Sequence, residues 1–175
     1  EVYKIEMLMN QAGITVHDRP VVDVALSRAE ETEAPAAALE FADGRMITGK
    51  TTDLLGPCAA LLLNALKELA GIPHSQPVIS PAAIEPIQTL KTQYLGSKNP
   101  RLHMDEVLIA LSVSAASDPN AQKALEQLPN LKGCQAHTSV MVSDVDRKLF
   151  MKLSIQATFE AKYENDSVIF PKKGI

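Results

Sequence analysis

The eight residues from Gly44 to Thr51 match a phosphate-binding loop by type and spacing. They read Gly-Arg-Met-Ile-Thr-Gly-Lys-Thr and fit the pattern G-x-x-x-x-G-K-[ST]. Such a loop binds phosphate when a strand leads into it and a helix begins at its lysine, because the free N–H groups of the helix then point at the phosphate oxygens. Here Asp43-Gly44 is a hairpin signal, residues 46–48 have strand character, and the next helix begins no earlier than Pro57. The segment is therefore predicted to be a hairpin that does not bind nucleotide.

The histidines do not form a metal-binding motif in the sequence. None of the four begins H-E-x-x-H, and there is no C-x-x-C pair, which excludes the common helical zinc peptidases. His103 beside Asp105 and Glu106 resembles a ligand cluster, but carboxylates also collect at helix N-termini because of the helix dipole. We expect that cluster to be structural and His137, in an apolar strand, to be a core histidine. No metal or cofactor is expected.

The two cysteines are predicted to be reduced and buried. Cys58 and Cys134 occur in a chain without an export signal, where thiols ordinarily stay unpaired. Cys58 falls at a helix N-terminus, which favours a thiolate, but Ala59, Ala60 and Leu61 follow it. An inert buried thiol is the interpretation that this apolar setting favours.

Composition restricts the classes of partner. The formal net charge is −4 and aromatic residues make up 4% of the chain, whereas a nucleic-acid or anionic-membrane surface requires a basic face and base stacking requires aromatic rings. No apolar run approaches the roughly 20 residues of a membrane-spanning helix. These features predict a cytoplasmic protein without nucleic-acid or membrane partners.

The hairpin and the helix after it are the centre of the predicted fold. Residues 36–49 form the hairpin, and residues 57–70 form a helix so apolar that it must be buried, with Pro57 in its first turn and Gly71 as its C-cap. A hairpin followed by a buried helix predicts a single α/β domain over residues 1–175, a three-layer αβα sandwich with a mixed sheet.

The remaining elements follow from apolar periodicity and capping residues. We predict helices at 2–9, from Ser80-Pro81 to Gly96, from Asp105 over VLIALSVSAAS, over AQKALEQL, and from Ser143 to about Glu160 through a stripe of Val145, Leu149, Leu153 and Ala157. We predict strands over VVDVAL, over Pro77–Ser80 and within 133–142, a charged loop over 27–35, and an edge strand or arm in the tail from Tyr163.

Three segments resemble the cytidine deaminase fold. They are ALEFADGRMITGK, GPCAALLLNALK and PVISPAAIEPIQ, and the resemblance implies a hairpin, a helix carrying a zinc ligand and a catalytic Glu, a strand, and a helix opening with Pro-Cys-x-x-Cys. Cys58 matches the first ligand, but Ala60 replaces the Glu, and Ala82 and Glu85 after Pro81 replace the two cysteines. Because a deaminase needs the metal-activated water and the carboxylate, the resemblance implies the fold without the activity and without zinc.

Almost the whole chain is similar to the C-terminal part of a bacterial family of uncharacterised proteins, domain of unknown function eighteen forty-six. The similar strings include DGRMITGKTTDLLGPCAALLLNALKELAGIP, LGSKNPRL and DEVLIALSVSAASDPNAQKALEQL. The resemblance implies a longer polypeptide with an upstream domain as partner, which agrees with a sequence that begins inside a predicted helix.

Two functions follow as expectations. The first is a non-catalytic accessory, ligand-sensing or assembly domain that docks on its upstream domain or forms a homo-oligomer, because the predicted helices carry more apolar surface than one sheet covers. The alternative is a small-molecule or nucleotide-binding, or hydrolytic, domain that uses a cleft where the helices at Pro57 and Pro81 begin. The candidate residues of that cleft are Thr51, Thr52, Cys58, Ser80 and Glu85.

Overall fold

A computed structural model describes residues 19–163 of the 175-residue chain. The predicted helix at 2–9 and the tail beyond Tyr163 lie outside these residues. The described helices are α1 Pro20–Thr32, α2 Pro57–Ala70, α3 Pro81–Thr89, α4 Met104–Ala115, α5 Pro119–Leu125 and α6 Asp144–Lys152; a π-helical turn, Leu90–Tyr94, continues α3, and a 3-10 turn, Leu128–Leu131, follows α5. The strands are β1 Ala36–Glu40, β2 Met46–Lys50, β3 Gln135–Thr138 and β4 Gln156–Phe159.

The four strands form one mixed sheet in the order β2-β1-β3-β4. β1 runs antiparallel to both β2 and β3, and β3 runs parallel to β4. Strand alternation sends successive side chains to opposite faces. Ala38 therefore packs with Val22 of α1, whereas Leu39 joins the larger core that includes α2. The sheet lies between helices, as an α/β fold requires.

The hairpin is confirmed to within one residue of its predicted end, and α2 is confirmed with the predicted bounds. Gly44 holds a positive φ of 87° in the turn, where a residue with a side chain is strained. Pro57 occupies the first turn of α2, where a missing N–H costs nothing. Gly71 ends the helix in the left-handed region, and the N–H of Ile72 donates to the carbonyl of Lys67 at 2.9 Å.

The strand predicted over VVDVAL is wrong, because these residues begin α1. Pro20 opens the helix, and the buried residues Val21, Val22 and Ala25 follow a helical spacing. α1 continues to Thr32 and absorbs most of the segment that was predicted to be a charged loop. The β-branched residues form a helix here because their apolar side chains cover the Ala38 face of the sheet.

Two further boundaries differ from the sequence prediction. Val78 and Ile79 are buried but lie in an irregular segment, not in a strand. The last helix ends at Lys152 rather than near Glu160, and residues 156–159 form β4. Ser154 at a φ of 58° reverses the chain between them, and pairing of β4 with β3 overrides the helical stripe that includes Ala157.

Within residues 19–163, no helix has both the length and the apolar content that crossing a bilayer requires.

Candidate functional site

The threonines predicted to line a cleft at the helix N-termini are bonded to the backbone. Both are buried. The Thr51 hydroxyl donates to the carbonyl of Pro35 at 2.9 Å, and Thr52 Oγ1 accepts from the N–H groups of Leu54 and Leu55. These bonds hold the loop that leads into α2, because a hydroxyl accepting from the backbone two and three residues on fixes a turn.

The other three predicted site residues differ in how exposed they are. Ser80 precedes α3 as its N-cap but makes no capping bond with its side chain, and both Ser80 and Glu85 are exposed. Cys58, in the first turn of α2, is 1% exposed. Two of the five residues are therefore accessible on α3, and three are buried around the start of α2.

The carboxylate of Asp146 acts on Cys58, which the sequence analysis did not predict. Burial raises the pKa of the Cys58 thiol well above its ordinary value, and the charge of Asp146 raises it further. Asp146, in the first turn of α6, is buried and accepts from the N–H of Met104 at 2.9 Å. Burial also raises the pKa of Asp146. The sequence signal was the Ser143–Asp146 spacing, which predicted only a helix cap.

The cluster of His103, Asp105 and Glu106 is built as a helix cap. One ligating atom from each residue lies within 4.8 Å of the others. Glu106 Oε1 accepts from the N–H of His103 and from the ammonium of Lys91, both at 2.8 Å. Lys91 is buried, so the carboxylate is already engaged in a charge-assisted pair. This geometry supports the structural interpretation.

His137 belongs to β3 and pairs with Thr158 of β4 in the buried part of the sheet. It is fully buried, its Nδ1 lies 2.7 Å from the hydroxyl of Thr158, and its Nε2 lies 3.6 Å from the carboxylate of Glu160. These contacts agree with the predicted core histidine.

The segment from Gly44 to Thr51, which matches the phosphate-loop pattern, is not a phosphate loop in the structure. Gly44 lies in the β1–β2 turn, and Gly49 and Lys50 lie in β2, so no helix begins at the lysine. A Cβ at Gly49 would lie 2.2 Å from the amide nitrogen of Leu61. Glycine is required at position 49 because the backbones of β2 and α2 nearly touch there.

A cleft at the open edge of β2 is the strongest candidate site among the described residues. It encloses about 120 Å³, and we call it the edge cleft. Its lining comes from α1, β2, the loop after β2, α2 and the segment after α2: Arg28, Ile47, Thr48, Lys50, Thr52, Ala60, Asn64 and His74. Thr52 is the one predicted site residue that lines it.

The pairing of β2 leaves polar backbone groups at this edge. Bonds from Phe41 to Arg45 and from Thr51 to Pro35 set the alternation of the hairpin, so the backbone groups of Thr48 point away from β1. Asn64 Nδ2 donates to the carbonyl of Thr48 at 2.9 Å. The Asn64 amide therefore fixes α2 against the edge strand and forms one wall of the cleft.

The ionisable groups that line the edge cleft carry or can accept positive charge. They are Arg28, Lys50 and His74, and no carboxylate is among the described lining residues. The Nη1 of Arg28 pairs with Glu31 at 3.0 Å outside the cleft. The Nε of Arg28 is buried and has no hydrogen-bond acceptor within residues 19–163, although a buried N–H is ordinarily paired.

Lys67 fixes the segment that carries His74. Its ammonium donates to the His74 carbonyl at 2.8 Å, and the residue is 6% exposed. Desolvation lowers the pKa of Lys67. A buried lysine with a backbone carbonyl as its acceptor therefore fixes His74, one of the residues that line the edge cleft.

A wider, open groove of about 460 Å³ continues from the edge cleft along α1. The two share Arg28 and Thr48, and the groove adds Asp23, Ser27 and Glu31. Cationic groups therefore line the enclosed part, and hydroxyl and carboxylate oxygens line the open part.

Residues 17–169 match the family model described as "Domain of unknown function DUF1846, C-terminal". The chain belongs to this family. It is 54% identical to a UPF0371 protein of Corynebacterium glutamicum over 165 residues, 56% identical to one of Corynebacterium efficiens over 165 residues, and 48% identical to one of Streptococcus thermophilus over 167 residues. These matches cover 94–95% of this chain but 33–34% of each relative. The chain thus spans about one third of the length of its curated relatives, and the resemblance to domain of unknown function eighteen forty-six is confirmed.

Apart from Thr52, sequence reasoning did not predict the residues that line the edge cleft, among them the polar Arg28, Thr48, Lys50, Asn64 and His74. Arg28 fell in a segment that was predicted to be a charged loop, and Asn64 fell in a helix that was predicted only to be buried. The available signal was the polar side chain of Asn64 in that apolar helix, because an amide on a buried helix needs a partner.

Proposed function

We propose that this domain is a non-catalytic, ligand-sensing accessory domain of a larger bacterial protein, and that it binds the oxyanion group of a small molecule in the edge cleft. The observation that carries the proposal is the buried Nε–H of Arg28, which has no acceptor among the described residues. The Arg28 side chain as a whole is 34% exposed, so its guanidinium can reach a ligand in the cleft while its Nε–H lacks an acceptor, although a buried N–H is ordinarily paired. A phosphate or carboxylate oxygen is the acceptor that such a guanidinium fits best.

The charge of the lining supports an anion over a cation or a neutral ligand. Lys50 and His74 lie in the same lining as Arg28, and no carboxylate is among the described lining residues; Glu31, which pairs with Arg28 Nη1, lies in the adjoining groove. Arg28 and Lys50 are partly buried, so each interacts with an anion more strongly than it would in bulk solvent.

The volume of the cleft supports a group rather than a whole ligand. At about 30 Å³ per water molecule, 120 Å³ holds the equivalent of about four waters, enough for a phosphate or carboxylate but not for a nucleotide. The rest of the ligand would occupy the open groove, where Asp23, Ser27 and Glu31 offer acceptors to hydroxyl or amino groups. The expected ligand class is a small organic phosphate or carboxylate that carries such groups.

The proposal is non-catalytic because the described lining lacks a nucleophile paired with a base. Thr52 Oγ1 accepts from two backbone N–H groups, and both cysteines are buried outside the lining. His74 has no hydroxyl, thiol or carboxylate partner that the described lining provides, as acyl or proton transfer would require.

We also propose that the fold is a degenerate relative of the cytidine deaminases. The hairpin followed by α2 supports this, with Cys58 at the ligand position and Ala60 at the position of the catalytic Glu. Asp146, from the start of a second helix, meets Cys58 there. The pKa of the Cys58 thiol is raised well above its ordinary value, which favours the protonated thiol, a poor metal ligand. Absence of zinc at this position stays a prediction.

Binding of simple anions to the 175-residue chain tests the first proposal. Inorganic phosphate and acetate are titrated in separate arms by calorimetry, which distinguishes a phosphate site from a carboxylate site. Arg28→Gln and Lys50→Gln should each weaken the preferred anion about 10-fold or more, since a hydrogen bond to a charged group is worth about 1.5–3 kcal/mol.

Lys123→Gln on α5 is the matched control, because it removes the same charge from an exposed position outside the edge cleft. Thermal melts of all variants establish that they are folded. Equal weakening by Lys123→Gln, or no binding of either anion by the folded chain, would refute the proposal.

A further inference from the structure

One face of α4 is apolar and uncovered in the described residues. Met104, Val107, Ala110 and Leu111 face the core, but Ile109 and Val113 are 62% and 70% exposed. These two residues are four apart and so lie one above the other on the helix. α4 also carries Asp105, Glu106, Ser112 and Ser114, so this pair is the exposed apolar surface of the helix. We call Ile109 and Val113 the outer face of α4.

A second pair of exposed apolar residues lies on the neighbouring helix. Leu90 and Tyr94, four apart in the π-helical turn, are 49% and 77% exposed. The buried pair of Lys91 and Glu106, 2.8 Å apart, joins this turn to the start of α4. This ion pair ties the turn that carries Leu90 and Tyr94 to the first turn of α4.

The length of the relatives indicates what covers this surface. The family match is to a C-terminal domain, and about two thirds of each curated relative lies outside the matched region. A stable interface between separate chains needs about 1,200 Å² or more, which four side chains do not supply. A domain on the same polypeptide needs far less, because tethering raises its effective concentration to the millimolar range.

We infer that the outer face of α4 docks the upstream domain of the family polypeptide rather than a second copy of this chain. The inference is independent of the proposed anion site, which lies at the open edge of β2.

Thiol labelling tests this docking surface. Val113→Cys is made in the 175-residue chain and in a long chimera, in which this chain replaces the matched region of the Corynebacterium glutamicum relative. Lys132→Cys, an exposed position in the turn before β3, is the control. The native Cys58 and Cys134 are buried, so their slow labelling reports that each protein is folded.

The expected result is that the thiol introduced by Val113→Cys reacts at least 10-fold more slowly in the chimera than in the 175-residue chain, whereas the thiol introduced by Lys132→Cys reacts at the same rate in both. Equal rates at position 113 would overturn the inference. Slower labelling of position 113 in the 175-residue chain as its concentration rises would also overturn it, because a second copy would then be the occupant. If fast labelling of Cys58 shows that the 175-residue chain is unfolded, the chimera alone decides: protection at 113 and not at 132 supports docking, and equal labelling refutes it.

Discussion

Replacing Gly49 by alanine should destabilise the domain through one backbone contact. The added Cβ would lie 2.2 Å from the amide nitrogen of Leu61, 2.5 Å from its Cα and 2.7 Å from the carbonyl carbon of Ala60. All three atoms belong to the backbone of α2, so no side-chain rotation relieves the contact. Reaching an ordinary separation of about 3.4 Å requires β2 and α2 to move apart by about 1.2 Å at the Leu61 nitrogen.

The cost follows from what that movement disturbs. Overpacking a close-packed core costs about 1–3 kcal/mol, and more when backbone must move. α2 carries ten buried residues, and a radial gap of about 1 Å forfeits up to half of the dispersion energy of each contact that it opens. We expect Gly49→Ala to lower the free energy of unfolding by about 3 kcal/mol or more.

Urea denaturation followed by circular dichroism measures this change. Gly56→Ala is the control, because its Cβ would lie 3.7 Å from the nearest atom, the carbonyl oxygen of Leu102, and its φ is −69°. Gly56 is the N-cap of α2, where alanine is a poorer cap than glycine, so the control should cost no more than about 1 kcal/mol. A loss below about 0.5 kcal/mol for Gly49→Ala would refute the close approach of β2 to α2. If Gly49→Ala kept full stability and lost phosphate binding, Gly49 would instead serve a phosphate loop.

Three further predictions concern buried ionisable groups. Because desolvation lowers the pKa of Lys67, the unfolded chain retains this proton to a higher pH than the folded chain does. The free energy of unfolding should therefore rise with pH between the lowered native pKa and the ordinary 10.5. Lys67→Met should remove this pH dependence in denaturation curves. Burial raises the pKa of Asp146, so its contribution to the free energy of unfolding should fall as pH rises from 3.8 through the native pKa. Asp146→Asn should abolish that fall. Asp146→Ala should cost about 1–3 kcal/mol at neutral pH, because it leaves the Met104 N–H unpaired. Cys58 should resist thiol reagents at pH 8, and the purified protein should hold no stoichiometric zinc. If metal analysis found zinc that Cys58→Ser removed, the proposal of a degenerate deaminase site would be contradicted.

The elements that the sequence predicted correctly are those with local causes. Asp43-Gly44 determined the turn between β1 and β2, because a tight turn needs a positive φ and few residues provide it. Pro57 and Gly71 determined both ends of α2, since each has a backbone preference that does not depend on distant contacts. The expectation that the glycine-rich segment is a hairpin followed from the same local chemistry.

The incorrect predictions concern residues with tertiary partners. Val21 and Val22 favour a strand by propensity, but covering the Ala38 face of the sheet stabilises them in a helix. Ala157 fits a helical stripe, but pairing with Ala136 in β3 places it in a strand. Neither partner can be deduced from neighbours in sequence, because both contacts join residues that are far apart along the chain and separated by intervening elements.

The edge cleft depends entirely on the tertiary structure. Arg28, Lys50, Asn64 and His74 come from α1, β2, α2 and the segment after α2, and no motif or periodicity links their positions. By itself the sequence determined the hairpin, α2 and the family to which the chain belongs. The tertiary structure decided which polar groups converge. α1 and α2 pack on opposite faces of the sheet, and this packing brings their side chains together at the outer edge of β2, the first strand of the described sheet.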